Sequence, residues 1–369
     1  MYDYLIVGAG LFGSVCAREL TDNGKKCLVI DKRNHIGGNC YTENINGIIV
    51  HKYGPHIFHT SNENIWNYIN RYSSFNNYIH KVKVIYHNKI YSFPINLYTM
   101  HQLWGIKTPE EAKVMLKEKR IDIKTPKNLE EWALSQVGED LYNIFIKEYT
   151  IKQWSRSPQK LPCSIIKRIP IRLNFNDNYF NDKYQGIPVN GFTKIFLELL
   201  RNIDINLNIK FSIENEKYFR VARKIIYTGA IDELFNYKYG MLEYRSLLFE
   251  HEIINIADFQ GTAVVNYPEL SIPYTRIIEH KHFEIDKNFN NITIITREYP
   301  QFFNGENIPC YPVNDKRNIM LYNKYRKLAK SYPNIIFGGR LGEYRYYDMD
   351  KVILSALNCV KKELNIVKT

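Results

Sequence analysis

The chain has 369 residues, more than one hydrophobic core usually serves, so two or more sub-domains are expected. Its 45% hydrophobic and 24% charged residues exclude a disordered or fibrous protein. With 50 Lys and Arg against 38 Asp and Glu, the net charge of +12 suits an anionic partner; the basic residues are spread along the chain rather than gathered in a patch, so no nucleic acid is expected.

The apolar run Tyr4-Leu5-Ile6-Val7 predicts a strand buried on both faces. It enters Gly8-Ala9-Gly10-Leu11-Phe12-Gly13, after which Val15, Cys16, Glu19 and Leu20 have helical spacing, closed by Asn23-Gly24. A second strand over 26–30 ends in Asp31. Strand, glycine turn, helix, strand and acid together predict a dinucleotide-binding βαβ unit. Gly8 permits the tight turn, Gly10 lets a pyrophosphate reach the backbone, and Gly13 lets helix and strand pack closely. The free N–H groups of the helix start then face the phosphates. Asp31 stands where an acid bonds a ribose hydroxyl.

Past Asp31, Gly37-Gly38 resembles the FAD enzymes of the amine-oxidase type, and Ile335-Ile336-Phe337-Gly338-Gly339-Arg340 is a late strand with a second glycine pair. The two pairs favour FAD over NAD. Alternation over 81–86, a turn at His87-Asn88-Lys89 and a return over 90–93 predict a hairpin. Thr108-Pro109-Glu110-Glu111 is a capping box, and Asn128-Leu129-Glu130-Glu131 starts a helix with the stripe Leu134, Val137, Leu141, Ile144. Strands are expected at 224–229, rejoining the nucleotide-binding sheet, and at 292–296. The expected fold is α/β: a Rossmann-like FAD-binding domain (1–76, 190–236 and 316–369), an inserted helical bundle (96–162) and an antiparallel β-sheet domain for substrate (77–95, 163–189 and 237–315).

Cys16, Cys27, Cys40, Cys163, Cys310 and Cys359 form no C-x-x-C pair, so no metal is expected and they read as buried thiols of a reducing compartment. The start of the chain has no basic leader, and no apolar stretch is long enough to span a bilayer. A cytoplasmic enzyme without membrane insertion is expected. No Ser/His/Asp order and no metal-spaced His/Glu set points to a hydrolase or metalloenzyme.

The runs Gly54-Pro55-His56-Ile57-Phe58-His59-Thr60, Tyr149-Thr150-Ile151-Lys152-Gln153-Trp154 and Arg168-Ile169-Pro170-Ile171-Arg172 are distinctive. So are Asn178-Tyr179-Phe180, Tyr274-Thr275-Arg276-Ile277-Ile278-Glu279-His280, Thr296-Arg297-Glu298-Tyr299-Pro300 and the stretch from Gly339-Arg340 to Asp348-Met349. In this order, over essentially the whole chain, the sequence resembles the UDP-galactopyranose mutase family. The resemblance implies interconversion of UDP-galactopyranose and UDP-galactofuranose without net redox, through a covalent adduct between galactose and N5 of reduced FAD. It implies a reductant such as NAD(P)H or a reductase, and a homodimer. UDP is already a good leaving group, so the need is for cations on the diphosphate rather than a strong acid.

On this resemblance Arg168, on a lid that closes over substrate, and Arg276 hold the diphosphate, and Tyr179, Tyr311 and Tyr346 bond it. Phe145 and Tyr149 hold the uracil, with Thr150 and Asn266 nearby, and Trp154 packs on the sugar. Ser155 follows where the family often carries Gly. His59 orients flavin and sugar, and His56 contacts the flavin through its backbone. The cofactor set is completed by Gly8, Gly10, Phe12, Gly13, Asp31, Lys32, Gly38, Asn39, Arg340, Tyr346, Asp348 and Met349. A flavin amine oxidase or desaturase shares both glycine elements but has no need of paired arginines and a tyrosine cluster. Pocket changes worth about 1–3 kcal/mol would suffice for an N-acetylated or 6-deoxy sugar instead.

Overall fold

A computed structural model describes residues 1–167, 170–284 and 291–365. The chain divides into two compact units, one built from 1–77, 182–246 and 303–369, the other from 78–181 and 247–302.

The first unit is organised on five strands in the order Ile335–Phe337, Ala222–Tyr227, Tyr2–Val7, Cys27–Ile30, Asp204–Asn206, all paired parallel. Leu5 and Ile6 are fully buried, as an apolar run covered on both faces requires. Helix Leu11–Asp22 packs against the last helix, Met349–Glu363. It ends where Asn23 returns its N–H to Glu19 and Leu20, with Gly24 at φ +74° beyond it. The strand at Ala222–Tyr227 lies between Tyr2–Val7 and Ile335–Phe337, so the late glycine pair emerges beside the first one's sheet. Burying each Leu, Ile or Val of this core contributes about 1.5–3 kcal/mol.

The second unit carries a mixed sheet whose strands run in the order 247–254, Thr293–Phe302, Arg276–Glu279, Val264–Asn266, Val82–Tyr86, Lys89–Phe93. The expectation of a purely antiparallel sheet is corrected at one pairing: Val264–Asn266 runs parallel to Val82–Tyr86. These two strands come from distant chain segments, so no hairpin fixes their relative direction. His87 and Asn88 both have positive φ (48° and 60°), the turn that matches the twist of a two-residue hairpin.

Helix Pro109–Lys119 is capped as its box predicts, Thr108 Oγ1 accepting from the Glu111 N–H at 3.2 Å and Glu111 Oε2 from the Thr108 N–H at 3.3 Å. Helix Leu129–Tyr142 starts at Asn128, and Val137, Leu141 and Ile144 of the expected stripe are buried, but the helix is kinked at Gly138. Gly138 has φ +76°, and a Cβ there would lie 2.3 Å from the Lys119 carbonyl oxygen, so both the backbone conformation and the close approach call for glycine. A π-helical turn, Asn143–Lys147, follows and leads into helix Glu148–Trp154.

The helices of 97–154 share one unit with the sheet instead of forming a unit of their own. Residues 182–189, 237–246 and 303–315, expected with the sheet domain, belong to the first unit. There Tyr184–Gly186 pairs with Phe58–Thr60, and Tyr244 and Arg245 pair with Pro312 and Tyr311. Among the described residues no helix is long and apolar enough to cross a membrane.

Candidate active site

The glycine turns of the first unit close on one another. Gly8 has φ +111°, and a Cβ on it would fall 2.0 Å from Thr228 Oγ1. A Cβ on Gly13 would fall 2.0 Å from the Gly8 carbonyl oxygen, so strand and helix approach as closely as backbone allows. Gly38 stands against Gly10, a Cβ there meeting the Gly10 Cα at 3.1 Å, and the Gly37 N–H bonds the Ala9 carbonyl at 2.8 Å. Phe12 lies under the late pair, since a Cβ on Gly338 would meet its ring at 2.1 Å. The first, second and late glycine elements thus meet at the start of helix Leu11–Asp22, whose Gly10 cap offers no side-chain acceptor.

Asp31 is buried, its Oδ2 accepting from the Ala9 N–H at 2.7 Å and its Oδ1 from the Arg33 N–H at 2.9 Å. The carboxylate therefore braces the glycine turn, with its remaining lone pairs left for a ribose. Lys32 turns its ammonium to Glu233 at 3.3 Å. Asn39 Oδ1 accepts from Arg33 Nη2 at 2.8 Å. Arg33 itself went unread in the sequence: its guanidinium lies 4.6 Å from the Tyr53 ring centroid and its Nη1 is buried without a protein partner. A cradle that a Cβ would fill and an orphaned buried guanidinium nitrogen beside it fit a dinucleotide.

Two histidines of the same unit are held neutral. Burial pulls His56 down to about 4, the Arg340 charge adding to it, and burial beside His56 pulls His51 down to about 3. The His56 N–H donates to His51 Nδ1 at 3.2 Å, and His56 Nδ1 lies 2.9 Å from the Gly54 carbonyl. His59 Nδ1 pairs with Asp182 Oδ2 at 2.7 Å, and Ser61 donates to the other oxygen at 2.7 Å. Burial resists ionisation of Asp182, but those two hydrogen bonds outweigh it and hold the carboxyl below its usual range. Asp182 was not read from the sequence, because nothing in its neighbourhood marks it as a partner of a histidine 123 residues away.

Tyr311 and Tyr346 meet at a ring separation of 5.4 Å, with the Arg340 guanidinium 6.0 Å from the Tyr346 centroid. Asp348 caps helix Met349–Glu363 by position only; its exposed side chain makes no capping bond, and buried Asp350 takes the Thr60 hydroxyl at 3.0 Å. Met349 Sδ lies 3.7 Å from the Cys40 thiol, which burial pushes up to about 11. Both line a small apolar cavity with Leu11, Phe58, Ile69 and Phe192.

In the second unit Arg276 is the centre. Its Nη2 donates to the Tyr149 hydroxyl at 2.7 Å, and its Nε lies 3.2 Å from Oε1 of Glu298, which is 1% exposed. Asn266, Arg276 and Glu298 are register partners across three neighbouring strands. Asn266 Oδ1 is buried with no partner, a polar atom of the kind a ligand completes. Burial pushes the Tyr149 hydroxyl up, with Arg276 pulling the other way.

The π-helical turn buries Phe145 against Phe93, ring centroids 5.8 Å apart, and against Tyr91 at 5.6 Å. Phe93 continues to Tyr179 at 6.2 Å, whose N–H bonds the His80 carbonyl at 2.7 Å. Arg172, another residue given no role in the sequence reading, donates to the Asn176 and Asn178 carbonyls and shapes the turn before Tyr179. Thr150 is buried. Trp154 ends its helix, and Ser155 takes the left-handed cap at φ +50° that a glycine takes most readily. Arg168 lies outside the described residues. Asp258, Glu279 and His282 bring their donor atoms within 4.8 Å of one another. Glu279 already accepts from the Phe259 and Gln260 N–H groups and from Thr293, so this is an ion-pair network.

Residues 144–346 match the family model of UDP-galactopyranose mutase, and residues 6–72 that of an NAD(P)-binding Rossmann-like domain. The chain belongs to the UDP-galactopyranose mutase family. A probable UDP-galactopyranose mutase of Klebsiella pneumoniae is 42% identical over 370 residues, covering 98% of this chain and 95% of that one. A dTDP-fucopyranose mutase of Escherichia coli is 41% identical over 374 residues, covering 98% of each. A crystal structure of reduced UDP-galactopyranose mutase superposes with a TM-score of 0.76 at 15% identity, covering 100% of this chain and 97% of that one, and confirms the fold. The protein is thus a flavin-dependent sugar mutase, an isomerase of nucleotide-bound pyranose and furanose rings.

Proposed function

We propose that this family member interconverts UDP-galactopyranose and UDP-galactofuranose on reduced FAD, supplying galactofuranose for cell-surface polysaccharide. The observation that carries the reading is the Arg276–Tyr149 pair: a fixed guanidinium, partly neutralised by Glu298, with a phenol beside it. Reduced flavin, when bound in the glycine cradle, would supply the nucleophile for the anomeric carbon. The electron pair of the anomeric C–O bond would pass to the diphosphate, and Arg276, with Arg168 as a second cation, would meet the charge that develops. Tyr311 and Tyr346 donate their hydroxyls to phosphate oxygens. Phe145 and Tyr149 hold the base, with Thr150 and Asn266 nearby, Trp154 packs on the sugar, and Tyr179 bonds the diphosphate.

The glycine cradle, Arg33 and Asn39 hold the dinucleotide. His56, neutral at physiological pH, adds no charge beside it. Asp182 fixes the His59 ring so that it can orient the flavin and sugar. A reductant such as NAD(P)H or a reductase keeps the flavin reduced, and the working form is a homodimer.

The Escherichia coli relative favours one second reading, the dTDP-fucopyranose reaction, whose substrate differs by a base methyl, a missing ribose 2′-hydroxyl and a missing 6-hydroxyl on the hexose. Reduced protein given UDP-galactofuranose and dTDP-fucofuranose side by side separates the two. The proposal expects the first to be converted with at least about tenfold higher kcat/KM, a preference of about 1.4 kcal/mol. A preference for the second overturns the choice of substrate.

A further inference from the structure

Lys152 lies three residues after Tyr149 and two before Trp154, and it is only 9% exposed. Its ammonium meets four backbone carbonyls: Tyr267 at 2.5 Å, Glu269 at 2.9 Å, Ile272 at 2.8 Å and Tyr274 at 2.8 Å. Three N–H groups shared among four acceptors form a cage. All four carbonyls belong to the loop between strand Val264–Asn266 and strand Arg276–Glu279. One side chain of the Tyr149 helix therefore ties down the whole connection that ends at Arg276. Two further bonds join the same pieces: the Leu270 N–H donates to Glu148 Oε2 at 2.7 Å, and Arg276 donates to Tyr149.

Stability alone is a poor reason for this arrangement. Dehydrating an ammonium is costly, and the four carbonyl bonds go mainly to offset that cost. What a caged cation supplies is position. A lysine ammonium donates to acceptors lying in several directions at fixed distance, so loop and helix cannot slide independently.

We propose that Lys152 is a positioning residue of the mutase reaction: its caged ammonium locks the 267–274 loop to the Tyr149 helix and thereby holds Arg276 and Tyr149 together on the departing diphosphate. The proposal rests on the reading of Arg276 given above. A shift of about 1 Å in such a group costs on the order of a hundredfold in rate.

The group also titrates in an accessible range. Burial pulls Lys152 down to about 8, against Glu148 and Glu269, which pull it up. The other charged and titratable neighbours are Tyr267 and Tyr274 on the loop, His87 paired to Glu269 at 3.1 Å, and Arg297 beside the two tyrosines. Tyr267 is pushed up to about 12 by burial and stays protonated where Lys152 loses its charge. Deprotonation leaves two N–H groups for four carbonyls and loosens the loop.

The test uses the flavin-loaded, reduced enzyme and its Lys152→Met and Lys152→Arg variants, with UDP as the binding probe. Lys152→Met is expected to keep its flavin, weaken UDP binding by at least about tenfold and lower kcat/KM by about a hundredfold. Lys152→Arg, which keeps the charge, is expected to recover part of that loss. In the wild type, UDP affinity and kcat/KM should fall as pH rises through about 8, and Lys152→Met should lack that limb. The wild-type pH series stands even if a variant does not fold. Lys152→Met matching an active wild type, or wild-type UDP affinity flat across the range, overturns the inference. A reduced wild type that converts no nucleotide sugar contradicts the mutase reading instead.

Discussion

The Arg276 guanidinium donates to the Tyr149 hydroxyl at 2.7 Å, joining a strand residue to a helix residue 127 positions earlier. Because Glu298 takes the Nε side of the same group, the planar fork is oriented from two directions before any ligand arrives. Preorganised charge of this kind stabilises a departing diphosphate without reorganisation during the reaction.

Replacing the fork with a point charge tests that geometry. Arg276→Lys should keep flavin absorbance and lower kcat/KM by about a hundredfold, or about 2.7 kcal/mol. Arg276→Ala should cripple turnover further while FAD stays bound. Loss of the yellow colour together with activity would make Arg276 a folding residue.

Tyr149→Phe removes one orienting acceptor but leaves the ring. A rise in KM of about tenfold with a smaller change in kcat is expected, read from initial rates on UDP-galactofuranose. Equal parameters for variant and wild type would show that Glu298 alone orients the guanidinium.

Gly13→Ala would place a methyl 2.0 Å from the Gly8 carbonyl oxygen, a backbone atom that cannot turn aside. Helix and strand must separate, so the variant should purify with little or no flavin and melt several degrees lower. Full flavin occupancy, measured from absorbance against protein concentration, would mean that the cradle tolerates the shift.

Neutral histidines make the first unit acid-sensitive. His51 and His56 have folded values of about 3 and about 4, below the 6.5 of an exposed histidine, so the unfolded chain binds more protons between those limits. Their contribution is present above about 6.5 and is lost as pH falls through about 4 and about 3. His51→Asn can keep the acceptor for the His56 N–H and should flatten the acid side of a plot of melting temperature against pH. An unchanged slope would place the acid sensitivity elsewhere.

Much of this was legible in the sequence because local rules act locally. The βαβ unit, the Thr108 capping box and the His87-Asn88 hairpin are set by residues a few positions apart, and each formed as read. The break at Gly138 was not legible from the stripe around it, and the close approach of the Lys119 carbonyl there comes from another helix. For the same reason the parallel pairing of Val264–Asn266 with Val82–Tyr86 escaped a reading of adjacent segments. Among site residues, the glycines and Arg276 carry spacing or motif signals. Asp182 and Lys152 act through a partner far away in sequence or through backbone carbonyls, which leave no mark on composition or periodicity.

The proposed reaction couples a reduced flavin to fixed cations in a ring exchange without net redox. The most direct measurement is chromatographic conversion of UDP-galactofuranose to UDP-galactopyranose by the same preparation, oxidised and dithionite-reduced. Turnover by the reduced protein with almost none by the oxidised protein is the expected result. Equal activity in the two states, or protein that takes up no flavin and still converts the sugar, would contradict it.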